Sequence, residues 1–290
     1  MEDRRRWTTR EGFFVKAVRP RVGVCSWSLR PDSARDLAGK LQDTGLSGVQ
    51  LALDPLRTGA MPAEDVTAAF EPRGIHILSG MMAMDGEDYS TLESIRSTGG
   101  IVPDETWEAN LGAAAENAKL ARELGLTLVT FHAGFVPHEA GAERSKLIGR
   151  LGDLADAFGE QGVDVALETG QESATTLGQL LEELNDRRIG VNFDPANMIL
   201  YGMGDPIAAV RALSPYIRQV HIKDAIATTV PGTWGSEVPA GTGDVPWPDF
   251  FRTLHQCDVR CDFLIEREAG ESRVDDVRIA GELVERFAGT

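Results

Sequence analysis

Four short apolar runs between residues 163 and 270 constrain the fold of this chain more than any other feature. In chain order they read VDVALETG, IGVNFDPANM, IRQVHIKDA and CDFLIEREAG, and their ends carry Glu168, Asp194, His221 and Glu266. Segments with helical spacing, such as TTLGQLLEELN and DPIAAVRALSPY, lie between the runs, which predicts parallel neighbouring strands. Because parallel neighbours end at the same edge of a sheet, we expect these four side chains to lie together.

The N-terminal half continues the same alternation. RVGVCSWSL, GVQLAL, HILSGMMAM and LVTFHAG are predicted strands, and the first helix is expected to begin at Asp32 or Ser33 and to end at Gly45. Eight strands alternating with eight helices predict an α/β fold, a closed (β/α)8 TIM barrel. An open doubly wound sheet is disfavoured because no glycine-rich cofactor turn follows the first strand.

The domain organisation follows from this alternation. We predict an exposed N-terminal arm over residues 1–20 and a single TIM-barrel catalytic domain over residues 21–290, since no linker divides the repeats. Two polar connections, residues 85–105 and 226–247, are predicted as loops without regular structure, and the first of them is long enough to cover a site.

Composition narrows the classes of partner. The formal net charge is -16, from 45 acidic and 29 basic residues, so nucleic acid would be repelled and a small neutral substrate is favoured. The three cysteines complete no zinc site, which indicates reduced thiols in a cytoplasmic protein. No apolar run approaches the length of a membrane span, and we expect no membrane partner.

The four strand ends predict a metal site. Three carboxylates and one imidazole buried together would repel and lose hydration unless a cation lay between them. Oxygen ligands with a single imidazole suit one hard or borderline divalent ion, with Mn, Mg or Co favoured and Fe or Zn possible. A six-coordinate ion would keep two positions for the oxygens of a sugar, whose carbonyl it would polarise. Glu168 and Glu266, three strands apart, could then remove and return a proton from opposite sides.

The motifs LETG, NFDPAN, VHIKD and LIERE, with the loop PAGTGDVPW, resemble the xylose-isomerase-like barrels known as sugar phosphate isomerases and epimerases. This family includes ketose 3-epimerases and inosose dehydratase, and the resemblance extends from Arg21 to about Ala288. It implies that Glu168, Asp194, His221 and Glu266 hold the metal, that the two glutamates are the acid/base pair, and that the protein is a dimer or tetramer.

Two departures from the ketose 3-epimerases bear on the substrate. Those enzymes carry a histidine where this chain has Asn197 and an arginine where it has Ala227. Lys223 and Asp224 instead resemble branches that contain dehydratases and lyases. Two reactions therefore stay open: isomerisation or epimerisation of a keto sugar or polyol through an enediolate, and metal-dependent elimination from a keto sugar, inosose or 3-keto-glycoside.

Further residues at the same ends of the strands are candidate substrate contacts. Each has a structural alternative: His132 could support a ligand, Asn197 could cap a turn, Lys223 could pair with Asp224, and Trp27 could belong to the core. Acidic loop residues are commonly solvated, which is the alternative for the remaining two candidates, Glu172 and Glu237. The segment AGTGD could cradle a phosphate through backbone N–H groups, although it lacks the usual lysine.

Two other classes of function remain. DNA-repair endonucleases of the endonuclease IV type share this barrel, but their three-metal sites need many more histidines than the five present here. A catalytically silent sugar-binding or scaffold protein would bind no metal.

Overall fold

The structure is a computed structural model in which residues 20–288 are described, so the predicted N-terminal arm lies almost wholly outside the described residues. The strands are β1 (Val22–Cys25), β2 (Gly48–Ala52), β3 (His76–Met81), β4 (Leu128–Phe131), β5 (Asp164–Glu168), β6 (Ile189–Phe193), β7 (Ile217–Ile222), β8 (Asp224–Ile226), β9 (Ser236–Val238) and β10 (Asp262–Ile265). All except β8 and β9 are parallel and close into one barrel in the order β1-β10-β7-β6-β5-β4-β3-β2. The predicted TIM barrel is confirmed.

Helices follow the barrel strands and pack around them. They are α1 (Ala34–Thr44), α2 (Asp54–Arg57), α3 (Ala63–Phe70), α4 (Leu92–Thr98), α5 (Asp104–Glu123), α6 (Ala142–Gly159), α7 (Ala174–Leu184), α8 (Pro195–Tyr201), α9 (Pro206–Leu213), α10 (Trp247–Gln256) and α11 (Arg273–Ala288). The prediction of eight helices missed α2, α4 and α8, which are short and lie within connections. Within residues 20–288, no helix combines the length and apolar character that a bilayer crossing requires.

The first βα unit shows how local sequence sets the boundaries. The Ser33 side chain accepts a hydrogen bond from the backbone N–H of Asp36, and α1 ends at Gly45 with a φ of 79°, as predicted. The first strand is shorter than predicted, because Ser26–Leu29 forms a 3-10 turn. The Ser26 hydroxyl accepts from the backbone N–H of Ala52, which ties this turn to the end of β2.

The lumen of the barrel contains polar side chains. Ser79 on β3 donates to Gln219 on β7, and Gln50 on β2 donates to Thr130 on β4 at 2.8 Å. Neither pair joins neighbouring strands, so both bonds cross the interior. The alternate residues of the same strands, such as Val49 and Val220, are buried in the main hydrophobic core. A polar layer therefore lies inside an apolar shell.

Both connections that were predicted to lack regular structure contain some. Thr91 and Ser94 form a capping box that begins α4 in the first. In the second, β8 and β9 pair antiparallel, with Ala225 opposite Glu237. The prediction was wrong because glycine and proline mark turns and give no information on what the turns connect.

One buried carboxylate organises the glycine-rich segment after this hairpin. Asp224 accepts hydrogen bonds of 2.8–3.2 Å from the backbone N–H groups of Gly241, Gly243 and Val245 and from Trp247 Nε1. A Cβ at Gly243 would lie 2.2 Å from Asp224 Oδ1, so glycine is needed there. The interpretation of AGTGD as a phosphate cradle is wrong, since its glycine N–H groups are already bonded to this carboxylate.

The connection from β5 to α7 contains a buried acid. The prediction that Glu172 is a solvated loop charge is wrong, because the residue is 6% exposed. Burial alone raises the pKa of its carboxyl to about 8. The protonated form is therefore the one that the folded state favours.

Replacing Asp224 by alanine should lower the free energy of unfolding by roughly 2–4 kcal/mol, because several buried N–H donors would lose their acceptor. Urea denaturation measures this change. Asp244→Ala is the matched control: within residues 20–288 this carboxylate accepts a single hydrogen bond, from the exposed backbone N–H of Ala227, and its loss should cost about 1 kcal/mol or less. Equal losses for the two variants would contradict the assigned role.

Glu172→Gln should stabilise the protein at high pH. The folded-state pKa of Glu172 lies above its unfolded value, so the folded state binds the extra proton and wild-type stability falls as pH rises from about 4.5 to 8. The neutral variant avoids this loss and should be roughly 2–4 kcal/mol more stable than wild type at pH 9, with little difference at pH 5. Exposed Glu182→Gln is the control for urea denaturation at both pH values. A wild-type-to-variant difference that does not grow with pH would contradict this assignment.

Candidate metal and substrate site

The four predicted ligands converge at one end of the barrel, on consecutive strands β5, β6, β7 and β10. Each offers one atom, and these atoms all lie within 4.8 Å of one another. His221 Nδ1 lies 3.3 Å from Glu168 Oε1, 3.5 Å from Glu266 Oε2 and 3.9 Å from Asp194 Oδ2. All four residues are buried. The predicted convergence is therefore present in the fold.

The orientation of His221 suits metal binding. Its Nε2 lies 2.7 Å from Gln50 Oε1, and Gln50 Nε2 donates to the carbonyl of Gly80, which identifies the two ends of the amide. Nε2 also lies 3.0 Å from Asn192 Nδ2, a donor, but the contact with the Gln50 carbonyl oxygen is the shorter one. We therefore assign the hydrogen of the neutral ring to Nε2, which leaves the lone pair of Nδ1 toward the carboxylates. Among the described residues, His221 Nδ1 and Asp194 Oδ2 are buried atoms without a hydrogen-bond partner. Orphaned acceptors that face each other are the arrangement that a cation would satisfy.

The electrostatics of the cluster point the same way. Burial, followed by the charges of Glu266 and Glu168, raises the pKa of Asp194 to about 7, although Lys223 and His221 oppose the shift. Burial also disfavours the Glu266 carboxylate, but Lys223 and His221 outweigh this effect and hold the pKa of Glu266 well below its usual range. The Asp194 carboxyl is therefore about half protonated at pH 7. A divalent ion would favour ionisation of all three carboxyl groups.

Cys25 offers a second possible ligand set with His221 and Glu266. Its sulfur lies 3.6 Å from His221 Nε2, on the side of the ring that already bonds Gln50. Burial raises the pKa of this thiol to about 12, so it is not a thiolate at neutral pH. The carboxylate set is the better candidate.

A helix start positions Asp194. Its Oδ1 accepts from the backbone N–H groups of Ala196 and Asn197 at the start of α8, which leaves Oδ2 toward the cluster. The interpretation of Asn197 as the turn cap is wrong, because Asp194 has that role. The Asn197 amide instead donates to Glu168 Oε1 at 2.9 Å.

Two side chains hold Glu266. Trp27 Nε1 donates to Oε1 and Lys223 Nζ donates to Oε2, both at 2.8 Å. Lys223 is 3% exposed and also pairs with Glu268, so its interpretation as a surface partner of Asp224 is wrong. The ammonium is positioned against a candidate catalytic carboxylate.

A cavity of about 520 Å³ opens above the cluster. Five of the six predicted substrate contacts line it: Trp27, His132, Asn197, Lys223 and Glu237. His132 Nε2 lies 3.8 Å from Glu168 Oε2. Glu172 is not among the lining residues. This volume falls in the range of small-molecule sites.

Glu237 differs from its predicted alternative of a solvated charge. Its carboxylate binds Arg267 at 2.6 Å and accepts from the backbone N–H groups of Glu268 and Ala269. These bonds fix the β8–β9 hairpin to the segment that follows β10. The residue therefore shapes the wall of the cavity.

Sequence reasoning missed several lining residues and the supports of the cluster. Tyr89, Tyr201, Trp234 and Glu268 line the cavity, and Gln50 and Asn192 contact His221 from beneath. The amides carried a usable signal, since each interrupts an apolar strand at a position that faces the lumen. The aromatic residues lie in connections, where no periodic pattern marks them.

Comparisons with known proteins agree with this architecture. The chain is 28% identical over 201 residues to the uncharacterized protein YihM of Escherichia coli strain K12, a match that covers 64% of this chain and 60% of YihM. The crystal structure of a xylose isomerase domain protein from Planctomyces limnophilus is 32% identical and superposes with a TM-score of 0.82, covering 93% of this chain and 99% of that one.

More distant structures share the fold. They are a D-allulose 3-epimerase from Methylomonas sp. in complex with D-allulose (16% identity, 93% and 97% coverage, TM-score 0.70), the probable 3-DHS dehydratase AsbF from Bacillus anthracis (17%, 91% and 98%, 0.68), and a magnesium complex of a protein from Mycobacterium smegmatis (16%, 94% and 97%, 0.72). The family model described as xylose isomerase-like TIM barrel matches residues 38–287. The chain belongs to this family of xylose isomerase-like TIM barrels.

Proposed function

We propose that this protein is a divalent-metal-dependent isomerase or epimerase that moves a proton on a keto sugar or related polyol. The observation that carries the proposal is the convergence of two glutamates, Glu168 and Glu266, from non-adjacent strands on the unpartnered Nδ1 of His221. Neighbours of the fold include sugar epimerases and a dehydratase, which supports an enzyme of this kind.

The residues fit one divalent ion, with Mn, Mg or Co preferred for this donor set. Glu168, Asp194, His221 and Glu266 would hold it. When bound, the ion would polarise the substrate carbonyl and acidify the neighbouring C–H group.

Glu168 is the proposed base. Asn197 Nδ2 holds its Oε1 at 2.9 Å, while Oε2 lies on the side of His132, which lines the cavity. Glu168 takes the proton from the carbon beside the carbonyl, the electron pair of the broken C–H bond forms a C=C bond, and the π pair of the carbonyl moves onto its oxygen to give an enediolate.

Glu266 is the proposed acid on the opposite side. Trp27 fixes one of its oxygens and the Lys223 ammonium donates to the other. Lys223 and His221 keep Glu266 ionised in the resting protein, so the proton that Glu266 returns to carbon is drawn from the Lys223 ammonium as the enediolate develops. Lys223 then regains a proton from water, and Glu168 releases its proton to water. Return of the proton to the opposite face inverts the carbon.

Elimination is the second candidate, and the position of Lys223 favours it. The ammonium lines the cavity beside Glu266, where it could protonate the oxygen of a leaving group. Glu168 would again remove the C–H proton, the electron pair would form a C=C bond, and the C–O bond to the β-substituent would break. A dehydratase of this fold is consistent with such chemistry.

The proposal extends to the setting of the protein. We propose a cytoplasmic homo-oligomer, a dimer or a tetramer, whose partner is a small carbohydrate. The formal net charge of -16 supports the expectation that neither nucleic acid nor a membrane is a partner.

Proton exchange tests the proposed reaction. In D2O, the Mn²⁺-loaded protein incubated with a panel of keto sugars should place deuterium on the carbon beside the carbonyl, as mass spectrometry and NMR can show. Elimination would instead release a product lighter by the lost group. Glu168→Gln and Glu266→Gln should each lower the exchange rate by roughly 10²–10⁴-fold, since a positioned acid or base is lost.

Metal content, measured by elemental analysis, is the control for both glutamine variants. Full exchange by either variant with metal still bound would contradict the assigned acid/base roles. The wild-type protein, metal-loaded and inactive toward every sugar of the panel, would contradict the proposed function itself.

Asp194→Asn separates metal binding from the helix cap. The amide oxygen can keep the bonds to the N–H groups of Ala196 and Asn197, while the atom facing the cluster becomes an NH2 group. We expect the metal-free variant to unfold at a higher temperature than metal-free wild type, because one buried acid is gone. Mn²⁺ at about 100 times its Kd should stabilise wild type by roughly 2.7 kcal/mol and the variant by almost nothing. Equal stabilisation of both proteins in a thermal melt would contradict the assignment.

A further inference from the structure

A second cavity of about 420 Å³ adjoins the one above the cluster. Trp27, Ala52 and Pro55 line both cavities, so the two share a wall at the ends of β1 and β2. The Trp27 indole forms part of this wall while its Nε1 donates to Glu266. The two cavities therefore lie side by side, with Trp27, Ala52 and Pro55 between them.

The second cavity has mostly apolar walls. Leu37, Leu51 and Met61 lie on its inner side together with the three shared residues. Its Ser26 hydroxyl is already bonded to the backbone N–H of Ala52, and Arg30 at the exposed mouth pairs with Glu271 at 3.0 Å. Asp32, an exposed residue, also lines the cavity and is its third polar residue. The other eight lining residues are apolar.

We propose that the substrate is a sugar conjugate, a keto-glycoside with an apolar and preferably aromatic substituent, whose sugar lies at the cluster and whose substituent fills the second cavity. This inference rests on the proposed function. An apolar group in the cavity would cover apolar walls that are otherwise hydrated, and this burial stabilises the complex. An aromatic ring could also pack on the face or edge of Trp27.

A free keto sugar accounts for the structure less well. Small-molecule sites commonly bury most of the surface of their ligand within one continuous pocket. A single sugar chelated at the cluster would leave the adjoining cavity to water, although its lining is apolar.

The test compares ligands that differ only in the substituent. Binding of phenyl and methyl 3-keto-β-D-glucosides, and of the corresponding galactosides, to the Mn²⁺-loaded protein is measured by calorimetry. We expect at least one phenyl glycoside to bind at least tenfold more tightly than its methyl counterpart. Ala60→Trp should remove this preference, because residue 60 lines the second cavity and not the first. Ala68→Trp, at an exposed position of α3, introduces the same side chain elsewhere and should keep it.

Three results would overturn the inference: equal binding of phenyl and methyl glycosides, no binding of any glycoside, or a phenyl preference that survives in Ala60→Trp. Proton exchange on keto sugars, measured in parallel, separates this inference from the proposed function. Exchange without a phenyl preference rejects the second cavity alone. A phenyl preference without exchange leaves the binding site and rejects the proposed reaction.

Discussion

The structure depends on the convergence of three buried carboxylates on one imidazole nitrogen. Such a group is costly in a protein interior, because each carboxylate loses hydration and repels the others. Lys223 offsets part of this cost at Glu266, and Asn197 offsets part of it at Glu168. Asp194 Oδ2 receives no comparable partner among the described residues. The fold thus maintains an electrostatic imbalance that a divalent cation would correct, and the proposed metal dependence follows from that imbalance.

The surroundings of the cluster divide into two levels. The floor consists of strand residues inside the barrel, such as Gln50 and Asn192, and the rim consists of residues on the connections. Gln50 fixes the His221 ring from inside the barrel. Gln50 lies on β2, which pairs with β1 on one side and with β3 on the other. The rim comes from connections, and Trp27 and Trp234 on those connections line the cavity. In this fold the strand ends commonly carry the reacting groups and the loops shape the substrate pocket, and the candidate site here has the same arrangement. Asp224 joins the two levels, since it lies two residues after the end of β7 and accepts hydrogen bonds from the loop before α10.

The fold and the convergence of the four candidate ligands could be predicted because both follow from local patterns. Apolar runs alternating with helical segments predict a barrel, and the residue at the end of each run must then lie at the same edge as its neighbours. The contact between Gln50 and His221 could not be predicted in this way, since 171 positions separate them and an amide carries no charge or period to reveal its partner. The same applies to Glu237, whose bond to Arg267 depends on a hairpin within a segment that resembles a loop.

The polar side chains in the barrel lumen restrict which amino-acid substitutions such a protein can accept during evolution. A chain of hydrogen bonds crosses the barrel through Ser79, Gln219, Asn192 and Glu168, and each side chain donates to the next. An apolar replacement at one position would leave its buried partner without a hydrogen bond, so substitutions in this chain must be compensated at the neighbouring position. In sequences that evolve from this one, the lumen residues should therefore change together or not at all, while the residues of the connections change independently. Diversity of substrates within one lineage would then coexist with a nearly constant interior.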